Sequence, residues 1–126
     1  MRARIPRIVL RGKPKPNTRL RPAHRAFIRQ LPCLACGARH SIQAAHVRVG
    51  TDGGVGMRPG DRFTVPLCLT CHAKQHSIGE LSFYAALGID SLNVALRLWA
   101  VSGDVRQGER AIFRARQSID LARRYE

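Results

Sequence analysis

Two pairs of cysteines constrain the fold of this 126-residue chain more than any other feature. Cys33 and Cys36 form one Cys-x2-Cys pair, and Cys68 and Cys71 form a second. Four thiolates in two such pairs are typical of a tetrahedral zinc site with zinc–sulfur bonds of about 2.3 Å. The intervening 31 residues exceed the usual spacing of a zinc ribbon, so they must contain a hairpin and a loop. A turn-borne pair followed by a helix-borne pair is the layout of a treble clef, and we expect structural zinc.

Two other uses of these cysteines stay open. Disulfides would need an oxidising compartment, but the apolar run at residues 8–10 is too short for a secretory signal and is flanked by arginines. Residues 68–72 also fit the attachment motif of c-type haem. Haem attachment would require export as well, and it would leave Cys33 and Cys36 without a role. We therefore predict a cytoplasmic protein whose cysteines are thiolate ligands.

The positive charge is concentrated in the first part of the chain. Residues 1–51 contain twelve Lys and Arg and no acidic residue, whereas residues 52–126 contain ten against eight acidic residues. Such asymmetry favours a polyanionic partner. We expect DNA, with RNA as the alternative. A membrane is not expected, since no apolar run approaches the roughly 18 residues of a membrane span.

Three histidines form a second group of candidate functional residues. His72 and His76 are four residues apart, so a helix places them on one face, a common arrangement for two metal ligands. On that helix the cysteine pair would occupy an adjacent face. His46 follows a strand-like segment and precedes a glycine-rich loop. A histidine can take a proton from water near neutral pH; the alternative for His46 is a structural ring that is hydrogen-bonded to the loop.

The chain divides into three parts. We predict an extended basic arm at 1–21, a zinc and metal core at 22–80, and a helical extension packing on the core at 81–126. Prolines in the arm oppose regular helix. The predicted class is α+β. The candidates for contact with nucleic acid are Arg11, Lys13, Lys15, Arg19, Arg21, Arg48 and Lys74.

Within the core, residues 22–30 predict a short helix, because Pro22 suits a first helical position. Residues 41–49 alternate loosely between apolar and polar and predict a strand. Residues 50–60 are rich in glycine and predict a loop. The strand-like residues 63–65 then lead into the helix that carries the second cysteine pair and the histidine pair.

Three further helices are predicted in the extension. Glu80–Leu87 ends at Gly88, Asp90 caps Ser91–Val101, and a last helix covers Arg106–Tyr125. The expected apolar stripes are Leu92, Ala95, Leu96 and Trp99 on the second of these helices, and Ile112, Ala115, Ile119 and Ala122 on the third. The last helix also carries a row of arginines that suits either a solvated face or phosphate contact, namely Arg106, Arg110 and Arg114.

These residues together resemble the HNH, or ββα-metal, nucleases. The resemblance rests on Cys-x2-Cys-Gly, Ala-Ala-His46-Val, the glycine-rich loop, Asp61-Arg-Phe-Thr-Val-Pro-Leu, and Cys-x2-Cys-His72-x3-His76. It covers roughly residues 22–80. It is strongest with small phage and prophage proteins that share the ending Pro-Leu-Cys-x2-Cys-His-x3-His, and it extends to recombination-associated phage HNH nucleases.

The resemblance implies roles for particular residues. His46 would be the general base that activates water, and Asp61 would stand in for the central Asn of the motif. His72 and His76 would hold a catalytic divalent metal, which could be Mg, Mn, Ni or Zn, and His72 would thereby take part in catalysis.

The sequence therefore predicts a zinc-stabilised treble-clef or ββα-metal core that acts as a metal-dependent DNA endonuclease of phage or prophage type. The alternative is a non-catalytic zinc module that binds nucleic acid within a phage or recombination complex. Its basis is that Ala45 stands where many such nucleases carry Asp or His, and that Phe63 lies near the place of the central Asn.

Overall fold

The computed structural model describes residues 19–51 and 58–124. Most of the predicted basic arm lies outside these residues, including Arg11, Lys13 and Lys15, and so does the middle of the predicted loop, residues 52–57. The side chain of Ala122 is also outside the description. The described residues include most of the predicted core and of its helical extension.

Within the described ranges the chain forms two strands and five helices, which confirms the predicted α+β class. The elements are α1 (Pro22–Ile28), β1 (Ile42–His46), β2 (Thr64–Cys68), α2 (Leu69–Ile78), α3 (Glu80–Leu87), α4 (Ser91–Ala100) and α5 (Val105–Arg124). None of the helices in this part of the chain is long and apolar enough to cross a membrane.

Local signals fix the helix boundaries. Pro22 takes the first turn of α1. The side chain of Asp90 caps α4 by accepting a hydrogen bond from the Asn93 N–H at 3.0 Å. Gly88 ends α3 in the left-handed conformation, with φ of 71°. Each of these signals is visible in the sequence, so the bounds of α1, α3 and α4 lie close to their predicted positions.

The strands pair antiparallel, with Ile42 opposite Cys68 and His46 opposite Thr64. β2 runs further than the strand predicted at 63–65 and includes Pro66, which a two-stranded sheet tolerates because one edge of the strand needs no N–H. Every residue of β2 is buried, since α1, α2 and α4 all contact it. β2 therefore lies inside the core, whereas only Ala45 of β1 is buried.

The second cysteine pair is not wholly helical, which corrects the expectation that both cysteines lie on one helix. Cys68 ends β2 in an extended conformation, with φ of −69° and ψ of 163°, and caps α2. Its sulfur accepts a hydrogen bond from the Cys71 N–H at 3.5 Å. The pair thus spans the turn from strand to helix.

Of the predicted stripe, α4 fully buries only Ala95. Leu96 is 46% exposed, and Leu92 and Trp99 are half-buried. The residues that α4 buries are Val94, Ala95 and Leu98. The reason is that α4 packs against both β2 and α5, and the direction of those neighbours cannot be read from the spacing of apolar residues alone.

α5 approaches α1 closely at a glycine. Ile112 and Ile119 are buried as predicted. A Cβ atom added to Gly108 would lie 2.8 Å from the ring of Phe27 and 2.9 Å from the side chain of Leu31. A side chain at position 108 would therefore force Phe27 or Leu31 to move, which favours glycine at this contact.

Candidate zinc cluster and histidine cleft

The four cysteines converge on one point. Their sulfur atoms all lie within 4.8 Å of one another, and the Sγ atoms of Cys36 and Cys68 are 3.7 Å apart. Two thiolates on one tetrahedral zinc ion are about 3.8 Å apart, given zinc–sulfur bonds of about 2.3 Å. All four are free cysteines. The cluster is compatible with a structural zinc ion, and Cys33, Cys36, Cys68 and Cys71 would be its ligands.

A tight turn presents the first two cysteines. The Cys33 N–H donates to the Ala38 carbonyl, and the Gly37 N–H donates to the Cys33 carbonyl, each at 2.8 Å. Gly37 has φ of +80°, which disfavours other residues. The Leu34 N–H donates to the carbonyl of Pro66 in β2 at 2.8 Å. That bond fixes the turn beside the strand that ends in Cys68.

Arg116 supports the same turn from α5, although no sequence motif marks it. Its Nη1 donates to the Leu34 carbonyl at 3.2 Å. The missing side chain of Gly37 leaves room for its guanidinium, since a Cβ there would lie 3.3 Å from Arg116. The helical extension is therefore tied directly to the cysteine cluster.

A second group of residues lines a cleft of about 460 Å³ that α1, β1 and α2 border. The cleft contains all three histidines that the sequence singled out. Its lining residues are Arg25, Arg29, Gln43, Ala44, His46, Arg48, Arg58, His72 and His76.

The carboxylate of Asp61 forms a hydrogen bond with the ring of His46. His46 Nε2 lies 2.9 Å from Asp61 Oδ1, and Asp61 is only 1% exposed. Its other oxygen, Oδ2, accepts from the Arg21 N–H at 2.7 Å and lies 3.0 Å from Arg25 Nε. Burial disfavours the charge on Asp61, but the hydrogen bonds from Arg21 and His46 and the charge of Arg25 outweigh it and lower the pKa of this carboxyl group. Asp61 is therefore an ionised residue that supports the cleft without lining it.

His72 and His76 face each other on α2. Their Nε2 atoms are 3.1 Å apart, and Gln43 Oε1 on β1 accepts from His72 Nδ1 at 2.5 Å. Two imidazole nitrogens on one tetrahedral ion are about 3.3–3.4 Å apart, given bonds of about 2.0–2.1 Å. Burial, aided by the nearby His76 and His46, lowers the pKa of His72. The observed separation is that of a hydrogen bond between the two rings, and it is within a few tenths of an ångström of the distance between two ligands that share one ion.

The arginines of the cleft come from separate parts of the chain. Arg48 was predicted as a contact for nucleic acid, whereas Arg25, Arg29 and Arg58 were not. Nothing in the local sequence marks these three, because only the tertiary fold brings α1 and the segment before β2 near the histidines. Their positive charges make the cleft suited to an anionic ligand.

Other predicted site residues lie at the margin. The backbones of Arg19 and Arg21 hold Asp61: the Arg19 carbonyl accepts from the Asp61 N–H at 2.8 Å, and the Arg21 N–H donates to its carboxylate. Lys74 is exposed on α2 but is not among the residues that line the cleft. Ala45 and Phe63 are both buried in the core, so neither side chain reaches the cleft.

Fold and sites define a small α+β domain in which a four-cysteine cluster lies beside a basic cleft containing histidines. The chain belongs to the family described as "Protein of unknown function (DUF968)", which matches residues 5–101. The matched span includes both sites and ends before α5. No curated protein and no solved structure gives a match. The family's description gives no activity, so a function must be argued from the site.

Proposed function

We propose that this protein is a metal-dependent endonuclease of the HNH type that hydrolyses phosphodiester bonds of DNA. The observation that supports this most is the cleft itself. It brings an Asp61-supported histidine, a histidine pair with metal-ligand spacing and four arginines into one concave surface. The proposed setting is the cytoplasm, with a phage or prophage origin and a phage-encoded or recombination protein as a further partner.

The core suits a treble clef. A turn with two cysteines comes first, an antiparallel strand pair follows, and a helix begins at the second cysteine pair. In this interpretation a structural zinc ion joins the turn to the start of α2. The same helix then presents His72 and His76, so one short element serves both metals.

His46 is the proposed general base. Its Nε2 donates to the Asp61 carboxylate, which leaves Nδ1 as the nitrogen that takes a proton from the attacking water. Asp61 would hold the ring in this tautomer and stabilise the imidazolium that forms. Because Asp61 is buried and accepts from Arg21 as well, the ring has a fixed support.

His72 and His76 are the proposed ligands of the catalytic metal. Gln43 accepts from His72 Nδ1 and so leaves Nε2 as the coordinating nitrogen, a support that metal-bound histidines usually have. A divalent ion held there would supply positive charge to the phosphate and to the departing oxygen. Magnesium, manganese, nickel and zinc are the candidates.

The arginines would hold the DNA backbone. Guanidinium groups bind phosphate oxygens in a planar, two-pronged arrangement. Arg29, Arg48 and Arg58 are exposed at the cleft, and contacts of this kind do not require a particular base sequence. We therefore propose cleavage with weak sequence preference.

One observation favours the alternative of a non-catalytic module that binds nucleic acid. In the part of the chain that the structure describes, no third His, Cys, Asp or Glu joins His72 and His76 in a metal-binding group. With only two protein ligands, water or substrate phosphate would have to complete the coordination. Cleavage must therefore be measured directly.

The test uses supercoiled plasmid and zinc-reconstituted protein with added Mg²⁺, Mn²⁺ or Ni²⁺. His46→Gln keeps a side-chain N–H that can donate to Asp61 but cannot take a proton from water. Cleavage should fall by about 10²–10⁴-fold, while zinc content, thermal unfolding and DNA affinity stay at parental values. His40→Gln is the matched control, since His40 is exposed and lies outside the cleft. Parental cleavage by the His46 variant would refute the general-base role, and absence of cleavage by the parent with every metal would support the non-catalytic module.

A further inference from the structure

A second cationic surface lies on α5, apart from the cleft. It is formed by Arg106, Arg110, Phe113 and Arg114 together with Arg39, which follows the cysteine turn, and we call it the α5 face. It shares no residue with the lining of the histidine cleft. It also lies largely beyond residues 5–101, the span that the family match covers.

The arginines of the α5 face are available to bind an anion. Arg106, Arg110 and Arg114 are exposed, and none of their side chains forms an ion pair or hydrogen bond with a residue in the described part of the chain. The acidic residue nearby is already paired, because Glu109 Oε2 lies 2.8 Å from Arg39 Nη1. The face therefore keeps a net positive charge.

Phe113 lies at the edge of this arginine row. Its side chain is 67% exposed. At 100° per residue the three arginines of α5 cover an arc of about 80°, and Phe113 lies about 20° outside it, next to Arg106. A single exposed apolar side chain is ordinary on a protein surface. An exposed aromatic ring beside a row of arginines is a more specific arrangement, because it offers stacking and phosphate contact side by side.

The helix that carries this face is firmly held. Gly108 lets α5 contact Phe27 and Leu31 of the core, and Arg116 donates to the Leu34 carbonyl. Ile112 and Ile119 are buried on the opposite side. The exposed ring and charges are therefore presented in a fixed arrangement, which lowers the entropic cost of binding.

We propose that the α5 face binds single-stranded nucleic acid, with its arginines on phosphates and Phe113 stacked on an unpaired base. The arginine row is about 12 Å long, from eight residues at about 1.5 Å each. That length lets the three arginines reach successive phosphates of one strand. A single strand is favoured over a duplex because the bases of a duplex are stacked on one another, and an exposed ring then has no free base face to contact.

This inference does not depend on the nuclease proposal, since it concerns binding at residues outside the cleft. The test uses the full chain with the His46→Gln substitution, so that the probes stay intact. Fluorescein-labelled dT15 and a 15-base-pair duplex are titrated by fluorescence anisotropy across a sodium chloride series.

Phe113→Ala should weaken dT15 binding by about 5- to 150-fold, the effect of losing one stacked base, and should leave duplex binding nearly unchanged. Phe113→Trp should bind dT15 about as well as the parent, since it keeps an aromatic surface. Leu81→Ala is the matched control, because Leu81 is 70% exposed but lies on α3. Replacing Arg106, Arg110 and Arg114 together by Gln should reduce the magnitude of the log–log salt slope for dT15 by about 2.

Each other result would overturn the inference. Equal losses for dT15 and duplex in Phe113→Ala would mean that the ring makes no base-specific contact and that the face does not select single strands. Unchanged dT15 affinity in Phe113→Ala, whatever the arginine variant does, would show that Phe113 does not stack on a base. Unchanged salt slope in the arginine variant would mean that the face serves another partner, such as an acidic protein surface.

Discussion

A buried histidine outside both sites should make the fold sensitive to mild acid. His24 lies on α1 and is 2% exposed. Its Nδ1 is 2.7 Å from Ser102 Oγ, and its ring packs edge-on against Trp99 with centroids 4.9 Å apart. Within the described residues its Nε2 has no hydrogen-bond partner. Burial lowers the pKa of His24 to about 4, and the negative charge of Asp61 opposes only part of that shift.

The sign and size of the effect follow from this pKa. In the unfolded chain the histidine has a pKa near 6.5 and is protonated below that pH, whereas in the folded protein His24 stays neutral down to about pH 4. Between those values the free energy of unfolding must fall as the pH falls. At pH 5 the loss is about 2 kcal/mol relative to pH 8, and it approaches roughly 3 kcal/mol near pH 4.

The assay is urea unfolding followed by circular dichroism at half-unit steps from pH 8 to pH 5, with zinc content measured at each step. A zinc ion held by the cysteines would be released as the thiolates are protonated, and the parent would then lose stability for that reason too. The comparison with variants is therefore what isolates His24. His24→Gln keeps a group that can bond to Ser102 but cannot be protonated, and it should show about 2 kcal/mol less loss over this range. His40→Gln replaces an exposed histidine and should follow the parent. Parallel curves for the parent and His24→Gln would refute the reasoning.

Three further perturbations test other parts of the molecule. Cys68→Ser should abolish both bound zinc and cooperative unfolding, because zinc contributes about 10–16 kcal/mol to small domains; a variant that melts like the parent would exclude a structural role. Deleting residues 2–18 removes six Lys and Arg, and if four of them contact phosphates, the salt slope for duplex DNA should shrink by about 3.6; an unchanged slope would exclude the arm from binding. Gly108→Ala should destabilise the fold by about 1–2 kcal/mol in chemical denaturation, because its Cβ would overlap Phe27. A gain in stability, which an exposed helical glycine would give, would contradict the packing seen at that position.

Features set by neighbouring residues were predictable from the sequence. The cap at Asp90 and the glycine at position 88 marked helix ends, and the cysteine spacing indicated that both pairs would meet. These signals act over a few residues and need no knowledge of the rest of the chain. For that reason the α+β class and the cysteine cluster could be predicted, and the cluster's compatibility with zinc is confirmed.

Features set by packing were not predictable. Gln43 gave no signal as a partner of His72, since the two residues meet only through the contact of α2 with β1. Arg25 and Arg29 occupy the face of α1 that is not buried, and only the tertiary fold shows that this face borders the histidines. The exposure of Leu96 could not be predicted either, because its environment depends on where α5 packs. The roles proposed for His46 and Asp61 stay predictions until cleavage is measured.

The order of residues around α2 makes any activity of the cleft dependent on the cysteine cluster. Cys68 caps the helix, Cys71 lies in its first turn, and His72 comes immediately after. An ion bound by the cysteines would therefore fix the turn from which His72 and, one turn later, His76 project. Catalysis needs that geometry to within a fraction of an ångström, whereas phosphate binding by a basic chain needs charge alone. Cys68→Ser should thus lose plasmid cleavage completely while still binding DNA in a salt-dependent way, and cleavage by a zinc-free variant would show that the two sites are independent.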